Sequence, residues 1–368
     1  MKSNPSILKS FNPSKYWWKA LGVLLLLYTF TVGLLTPLKT GITDVSPAGL
    51  HTGQEVTLAV KGYNSFYTKN KEQLRAWLKM DVERALAAKH IEVVNDRELK
   101  LTFALPPYLP YDQKVKDFTL LIDSPADGTS VYPGAVSVTQ DSVAPQLGEA
   151  TWHNDEISNL HEKDAMTFPF RNILGETIRN TYFHVPLWFA MFILFVSAVV
   201  YSIKYLRNFE VRNDQMAAAL TNAGIVYGML GLITGAIWAK NTWGAFWSWD
   251  VKQNMTAVGL LIYGAYFVLR ASFEDPEKKA RISAVYNIFA FSTLIPLLYV
   301  IPKLTDSLHP GAGGNIAFGS QDLDNTMRMV FYPAIIGWTL MGVWIAQVIF
   351  RTARLKEAVL DEFESYSK

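Results

Sequence analysis

The chain has 368 residues and a formal net charge of +2; half of its residues are hydrophobic and only 18% are charged. A soluble chain carries nearer a quarter charged residues, and a mean hydropathy of +0.13 is too low for a chain lying wholly in lipid, so apolar spans mixed with a polar region are expected. With 11 Trp, 17 Tyr, 21 Phe and no Cys, the composition excludes disorder, disulfides, thiolate metal sites, thioredoxin-type redox work and covalent c-type haem on this chain. The near-zero net charge supplies no field to recruit nucleic acid.

Six apolar runs organise the chain, at residues 20–38, 185–203, 216–239, 255–273, 282–301 and 329–350. Crossing a bilayer takes roughly 20 apolar residues, and every backbone polar group must then be satisfied inside its own segment, so each run predicts a transmembrane α-helix. The fourth run reaches 273 only if Arg270 snorkels to the interface. The first run follows a basic start, as a signal peptide would, but residues 36–41 offer no small-x-small cleavage site, so it reads as a retained span. With residues 1–19 and 351–368 inside, the inner segments carry fifteen Lys and Arg and the two short outer loops, 240–254 and 302–328, carry four. The positive-inside rule therefore puts both termini in the cytoplasm.

Residues 39–165 form a polar insertion after the first span, and 166–184 connect it to the second. Val56, Leu58 and Val60 alternate, as do Leu99, Leu101 and Phe103, and Phe118, Leu120 and Ile122. Turn residues punctuate them at Asn95-Asp96, Pro106-Pro107, Asp127-Gly128 and Pro133-Gly134, the pattern of a β-sandwich. The stretch from Ile42 through Gly53 to Asn64 resembles immunoglobulin-like domains of the IPT/TIG type, with residues 69–89 departing from it by reading as helical. The fold class is thus mainly α: a polytopic six-helix membrane bundle with an inserted external β-sandwich, immunoglobulin-like domain.

Apart from Arg270, the six runs hold no Asp, Glu, Lys, Arg or His, which argues against an ion or proton pathway. Chemistry-bearing residues gather instead on the outer side. His184 lies in Tyr182-Phe-His-Val-Pro186 at the mouth of the second span, and His309 in Asp306-Ser-Leu-His-Pro-Gly311 between the fifth and sixth. Between the third and fourth lies Trp243-Gly-Ala-Phe-Trp-Ser-Trp-Asp250. Tryptophan is ordinary at a membrane interface, but three Trp and a Phe within seven residues are more than that preference requires. Two neutral imidazoles and a cluster of flat aromatics suit a flat macrocycle with iron at its centre. His153, Asp155, Glu156 and His161 follow no metal-ligand spacing.

The eight-residue aromatic segment resembles the WGxWWxWD ("WWD") signature of haem-handling proteins, the family of CcmC, CcmF and the CcsA-type cytochrome c synthases. The histidine contexts and six spans are most similar to CcmC; Phe246 replaces a Trp, and Val-Lys-Gln-Asn after Asp250 follows neither branch. The resemblance covers roughly 20–38 and 177–350 and omits the insertion. It implies a protein of cytochrome c maturation in the cytoplasmic (inner) membrane, binding and passing on haem rather than catalysing a reaction. The cofactor would be haem b, held non-covalently on the periplasmic side by His184 and His309 as axial ligands. Trp243, Phe246, Trp247 and Trp249 would form an aromatic platform, Gly244 would allow close backbone approach, and Asp250 would order the loop. Lys252, Arg328, Lys303 and Arg179 are the outer cations for the propionates. Implied partners are the haem chaperone CcmE and CcmA, CcmB and CcmD, besides membrane lipid. The alternative within the family is a CcsA-type apocytochrome c haem lyase; a quinone-linked b-type cytochrome ranks lower, lacking the four intramembrane histidines it would need.

Overall fold

A computed structural model describes residues 16–163, 165–310 and 323–366. It contains two compact units, one of residues 36–176 and one formed by the chain up to residue 35 and from residue 177 onward.

The second unit is helical. Its long helices are α1 (Trp17–Leu35), α3 (His184–Asn208), α4 (Val211–Trp243), α5 (Val251–Ala271), α6 (Pro276–Ile295) and α8 (Asn325–Tyr366). All six are long and apolar enough to cross a membrane, α6 by continuing through a π-helical turn, Pro296–Val300, into the short α7 (Ile301–Leu304). The π turn begins at Pro296, which has no N–H to continue the α ladder. Most of the helices outrun the apolar windows that reveal them, because polar residues extend the helix past the apolar segment; α4, for instance, reaches from 211 to 243 rather than 216 to 239. The first is displaced instead: α1 runs from 17 to 35, not 20 to 38, since Pro37 disfavours helix at the residue before it.

α3 and α4 run antiparallel around a tight turn in which Phe209 adopts a left-handed conformation and donates its N–H to the Tyr205 carbonyl. Along α4, Gly224, Gly228, Gly231 and Gly235 recur at intervals of four, three and four, and α3 presents Phe195, Met191, Trp188 and His184 at the same intervals. A Cβ on Gly224 would lie 2.4 Å from the Phe195 ring, on Gly228 3.1 Å from the Met191 sulfur, on Gly231 2.7 Å from the Trp188 ring and on Gly235 2.6 Å from the His184 ring. Large side chains of one helix thus lie against bare backbone of the next. That is how apolar helices associate when lipid is as apolar as their own surfaces.

At the other end of this pair, Arg270 does not snorkel as its position suggests. It forms a two-armed pair with the buried Asp214 carboxylate on α4, one arm at 2.7 Å, and α5 ends at Ala271 rather than 273. α1 packs on α8 through reciprocal close approaches, Gly22 against Leu340 and Gly337 against Leu26.

The first unit is built of β1 (Gly41–Ser46), β2 (Gly49–His51), β3 (Glu55–Tyr63), β4 (Arg75–Lys79), β5 (Ala85–Ala87), β6 (His90–Asn95), β7 (Glu98–Ala104), β8 (Val115–Ser124), β9 (Gly128–Thr139) and the short helix α2 (Pro145–Thr151). Two sheets form, in the orders β1-β3-β7-β6 and β2-β9-β8-β4-β5. Leu58, Val60, Leu99, Leu101 and Phe103 from the first sheet meet Phe118, Leu120, Ile122, Val136 and Val138 from the second in one apolar core. Apart from one 3-10 turn at Lys71–Gln73, residues 69–89 are not helical. They hold β4 and β5, because Ala76 and Leu78 alternate into that core while β4 pairs with β8; non-local pairing overrides local propensity. Pro133-Gly134 makes a bulge inside β9 instead of a turn, with Gly134 at φ 61°.

The outer surface of the second sheet is covered by residues 153–161, which pass over β4, β5 and β8. Asp155 accepts the Ala87 N–H, Asn154 accepts the Ala85 N–H, and Arg75 donates to the Ser158 carbonyl. At the centre is Asp123, fully buried, accepting from Arg75, Thr129, the His161 backbone N–H and the His161 ring. Asp155 and His161 therefore serve this covering segment, and no group of three potential metal ligands occurs among the described residues.

Two outcomes follow from this packing. Gly224→Ala drives a methyl into Phe195 and should cost about 1–3 kcal/mol, whereas Gly264→Ala, which meets nothing within 4 Å, should be neutral or stabilising; thermal unfolding in mild detergent compares them. Burial raises the Asp123 carboxyl, but the bonds from His161, Arg75 and Thr129 outweigh it and hold the group at about 2. Its stabilisation is therefore present above the ordinary carboxylate range and is lost as pH falls from about 4 toward 2. Asp123→Ala should remove about 3–5 kcal/mol and make residues 153–161 accessible to limited proteolysis at neutral pH; unchanged melting and cleavage would contradict this role.

Candidate functional site

The helical unit places His184 and His309 against the same end of α4, where the His184 ring abuts Gly235 and the His309 ring packs beside Trp238 and Trp243. His184 is the first residue of α3 and is half-buried between α3 and α4. Its Nδ1 lies 2.9 Å from the Gly231 carbonyl oxygen and 3.2 Å from the Thr234 hydroxyl. A carbonyl can only accept, and the Thr234 hydroxyl donates back to the Leu230 and Gly231 carbonyls, so Nδ1 carries the proton. The lone pair is then on Nε2, where it accepts the Trp188 indole N–H at 3.3 Å.

His309 is held differently. Its Nδ1 donates to the Asp250 carboxylate at 2.8 Å, and its backbone N–H donates to the Ser307 hydroxyl at 3.1 Å. Asp250 is itself buried and caps α5 by accepting the Lys252 N–H; it also accepts the Leu308 N–H at 2.8 Å and the Ser307 hydroxyl. Burial raises the Asp250 carboxyl, but these donors and the His309 ring more than compensate and hold it below the ordinary carboxylate range. Burial pushes the His309 imidazole down, against the pull of Asp250. The pair is thus a carboxylate and a neutral imidazole whose remaining nitrogen, Nε2, has no hydrogen-bond partner among the described residues.

The aromatic loop does not form one continuous platform. Trp243, the last residue of α4, stands edge-on to His309 with ring centres 4.8 Å apart, and Trp238, earlier on the same helix, joins them. Trp247 and Trp249 make a separate edge-to-face pair 6.5 Å apart. Phe246 and Trp249 are exposed, at 58% and 79%. Gly244 ends α4 with φ 84°, donating to the Lys240 carbonyl, a backbone angle that a side chain disfavours. Trp249 takes φ 58°, rare for so large a residue, while its carbonyl accepts from Asn254. The Asn254 side-chain oxygen accepts the Trp247 indole N–H, and Gln253 accepts both the N–H and the hydroxyl of Ser248, so the loop is pinned to the start of α5.

Of the four cations named from the sequence, Lys252 acts electrostatically on both imidazoles, and its Nζ donates to the Pro310 carbonyl. Arg179 donates to the Gly33 carbonyl, Arg328 to Asn325, and Lys303 is exposed. Residues 311–322 of the His309 loop lie outside the described residues.

Several partners were not singled out from the sequence. Trp238 and Trp188 sit in apolar helices, where an aromatic attracts no notice; Trp188 lies four residues beyond His184, hence on the same helix face. Asp250 followed three residues later by Gln253 before an apolar run is a helix-start pattern, legible in advance as the signal that the loop ends there.

Comparison with known proteins follows the same part of the chain. Heme exporter protein C of Bradyrhizobium diazoefficiens is 26% identical over 186 residues, covering 50% of this chain and 70% of the relative. That of Paracoccus denitrificans is 26% identical over 178 residues, 48% and 73% of the two chains. That of Escherichia coli (strain K12) is 25% identical over 188 residues, 50% and 72%. The family match, to CcmC, heme exporter protein C, spans residues 165–363, more than half of the chain, and takes in α3 to α8 with both histidines and the aromatic loop. With its six membrane-spanning helices, the chain is a multi-pass membrane protein belonging to the heme exporter protein C family.

Proposed function

We propose that this protein binds haem b non-covalently on the outer face of the cytoplasmic membrane, through His184 and His309, and passes it to the haem chaperone CcmE during cytochrome c maturation. One observation carries the reading: both imidazoles commit Nδ1 to donation, which leaves the Nε2 lone pair as the group for iron. The donor set fits haem, with two imidazoles at the same end of α4 and indole rings beside both of them. Asp250 orders the His309 loop. Trp243 packs edge-on against His309, while the exposed Phe246 and Trp249 and the half-buried Trp247 supply flat surface at the membrane–water boundary where an apolar macrocycle with polar propionates partitions. Lys252 is the cation placed to pair with a propionate. CcmA, CcmB and CcmD are the partners to which this arrangement belongs, and the two-sheet unit is an immunoglobulin-like module on the same outer side.

Purified protein carrying haem should show a Soret band that shifts or weakens in His184→Ala and in His309→Ala and is largely lost in the double variant. An unchanged spectrum in the double variant means that the iron is held elsewhere.

Sidedness is testable on the cysteine-free background. Ala245 and Glu274 are exposed and engaged in no side-chain bond among the described residues, unlike Ser248 and Ser307. Ala245→Cys should react with an impermeant maleimide in intact spheroplasts, and Glu274→Cys only after the membrane is opened. The reverse pattern would invert the topology.

A further inference from the structure

The two histidines are not equivalent. Behind His309 stands a buried carboxylate, which raises the basicity of the opposite nitrogen and fixes the ring, and that nitrogen has no competing partner among the described residues. Behind His184 stands only a backbone carbonyl and a hydroxyl. Its Nε2 is already engaged by the Trp188 indole N–H at 3.3 Å, with the two rings nearly perpendicular, 82° between planes. Every polar atom of the His184 ring is therefore satisfied without iron.

Resting on the haem reading above, we propose that His309 is the anchoring ligand and His184 the exchangeable one, its Nε2 alternating between the iron and the Trp188 indole N–H as haem arrives and leaves. Trp188 is then a positioning residue acting through His184. It stabilises the ligand-free imidazole, because coordination takes the lone pair that the indole N–H uses and leaves a half-buried donor without a partner. The packing keeps this competition in place. Gly231 abuts the Trp188 ring and Gly235 the His184 ring, closely enough that a Cβ at either would fall within 2.7 Å, so neither ring can move toward α4 to evade the other. A transfer protein gains from this asymmetry: one strong ligand retains the cargo, and one self-satisfied ligand lowers the barrier to giving it up.

The test uses the full-length protein loaded with haemin, with apomyoglobin as acceptor. Trp188→Phe removes the competing N–H but keeps a ring against Gly231. Release should slow about tenfold, equivalent to about 1.4 kcal/mol and the size of one net hydrogen bond, with a larger six-coordinate low-spin fraction. Added imidazole should displace His184 less readily in this variant than in the unsubstituted protein. His184→Ala should retain haemin as a five-coordinate species, whereas His309→Ala should retain markedly less of it. Circular dichroism and the thermal midpoint of the haem-free variants report separately on packing, and the imidazole titration compares ligand exchange within whatever fraction folds. Release by Trp188→Phe that is unchanged or faster, or equal loss of haemin in the two alanine variants, overturns the inequality while leaving haem binding standing. An unchanged spectrum in the double alanine variant instead removes the haem reading, and the inequality with it.

Discussion

Everything in the helical unit depends on how closely α3 approaches α4. Four glycines at intervals of four, three and four give α4 a strip of bare backbone, and α3 lays Phe195, Met191, Trp188 and His184 along it in antiparallel order. In water such a contact would be driven by burial of apolar surface; in lipid that drive is absent, and close dispersion contact and satisfied polar groups must hold helices together. The same strip serves both needs. Its part at Gly224 and Gly228 is pure packing. Its other end turns polar, where Gly231 offers a carbonyl to His184 and Gly235 leaves room for the ring. The position and tautomer of the first histidine are thus consequences of helix packing, with no loop involved.

The second histidine is placed by the opposite strategy. Among the described residues, 305–310 lie in no helix or strand, and a carboxylate from the start of α5 holds them. Asp250 begins α5, so its backbone position is set by the helix it caps, and its remaining lone pairs gather Ser307, Leu308 and His309. The β unit uses the same device. There the buried Asp123 ties residues 153–161 to the sheet through Arg75, Thr129 and both nitrogens offered by His161. In each unit a carboxylate removed from water is affordable only because it is saturated with donors, and that saturation in turn orders a segment lacking regular structure.

Much of this protein could be read without coordinates, for definite reasons. The six spans are legible because lipid tolerates no unsatisfied backbone, so each must be a long apolar helix; alternation marks β3, β7 and β8 because a strand buried on one face has a period of two. The two histidines, the aromatic loop and Asp250 stand out because polar and aromatic groups clustered between apolar runs are uncommon. Where the reading failed, a non-local term decided. Residues 69–89 became β4 and β5 because β8 was waiting to pair with them, and Arg270 found Asp214 fifty-six residues away in place of the interface. The aromatic loop is flat-ringed by composition, yet only the fold divides it, giving Trp243 to His309 and leaving Trp247 and Trp249 as a separate pair. By itself the sequence determined which residues have lone pairs, rings and charges, and which segments are apolar enough to span a bilayer. Only the tertiary structure decided which nitrogen of each imidazole keeps its proton, because that depends on whether the group behind the ring is a carbonyl from α4 or a carboxylate from α5.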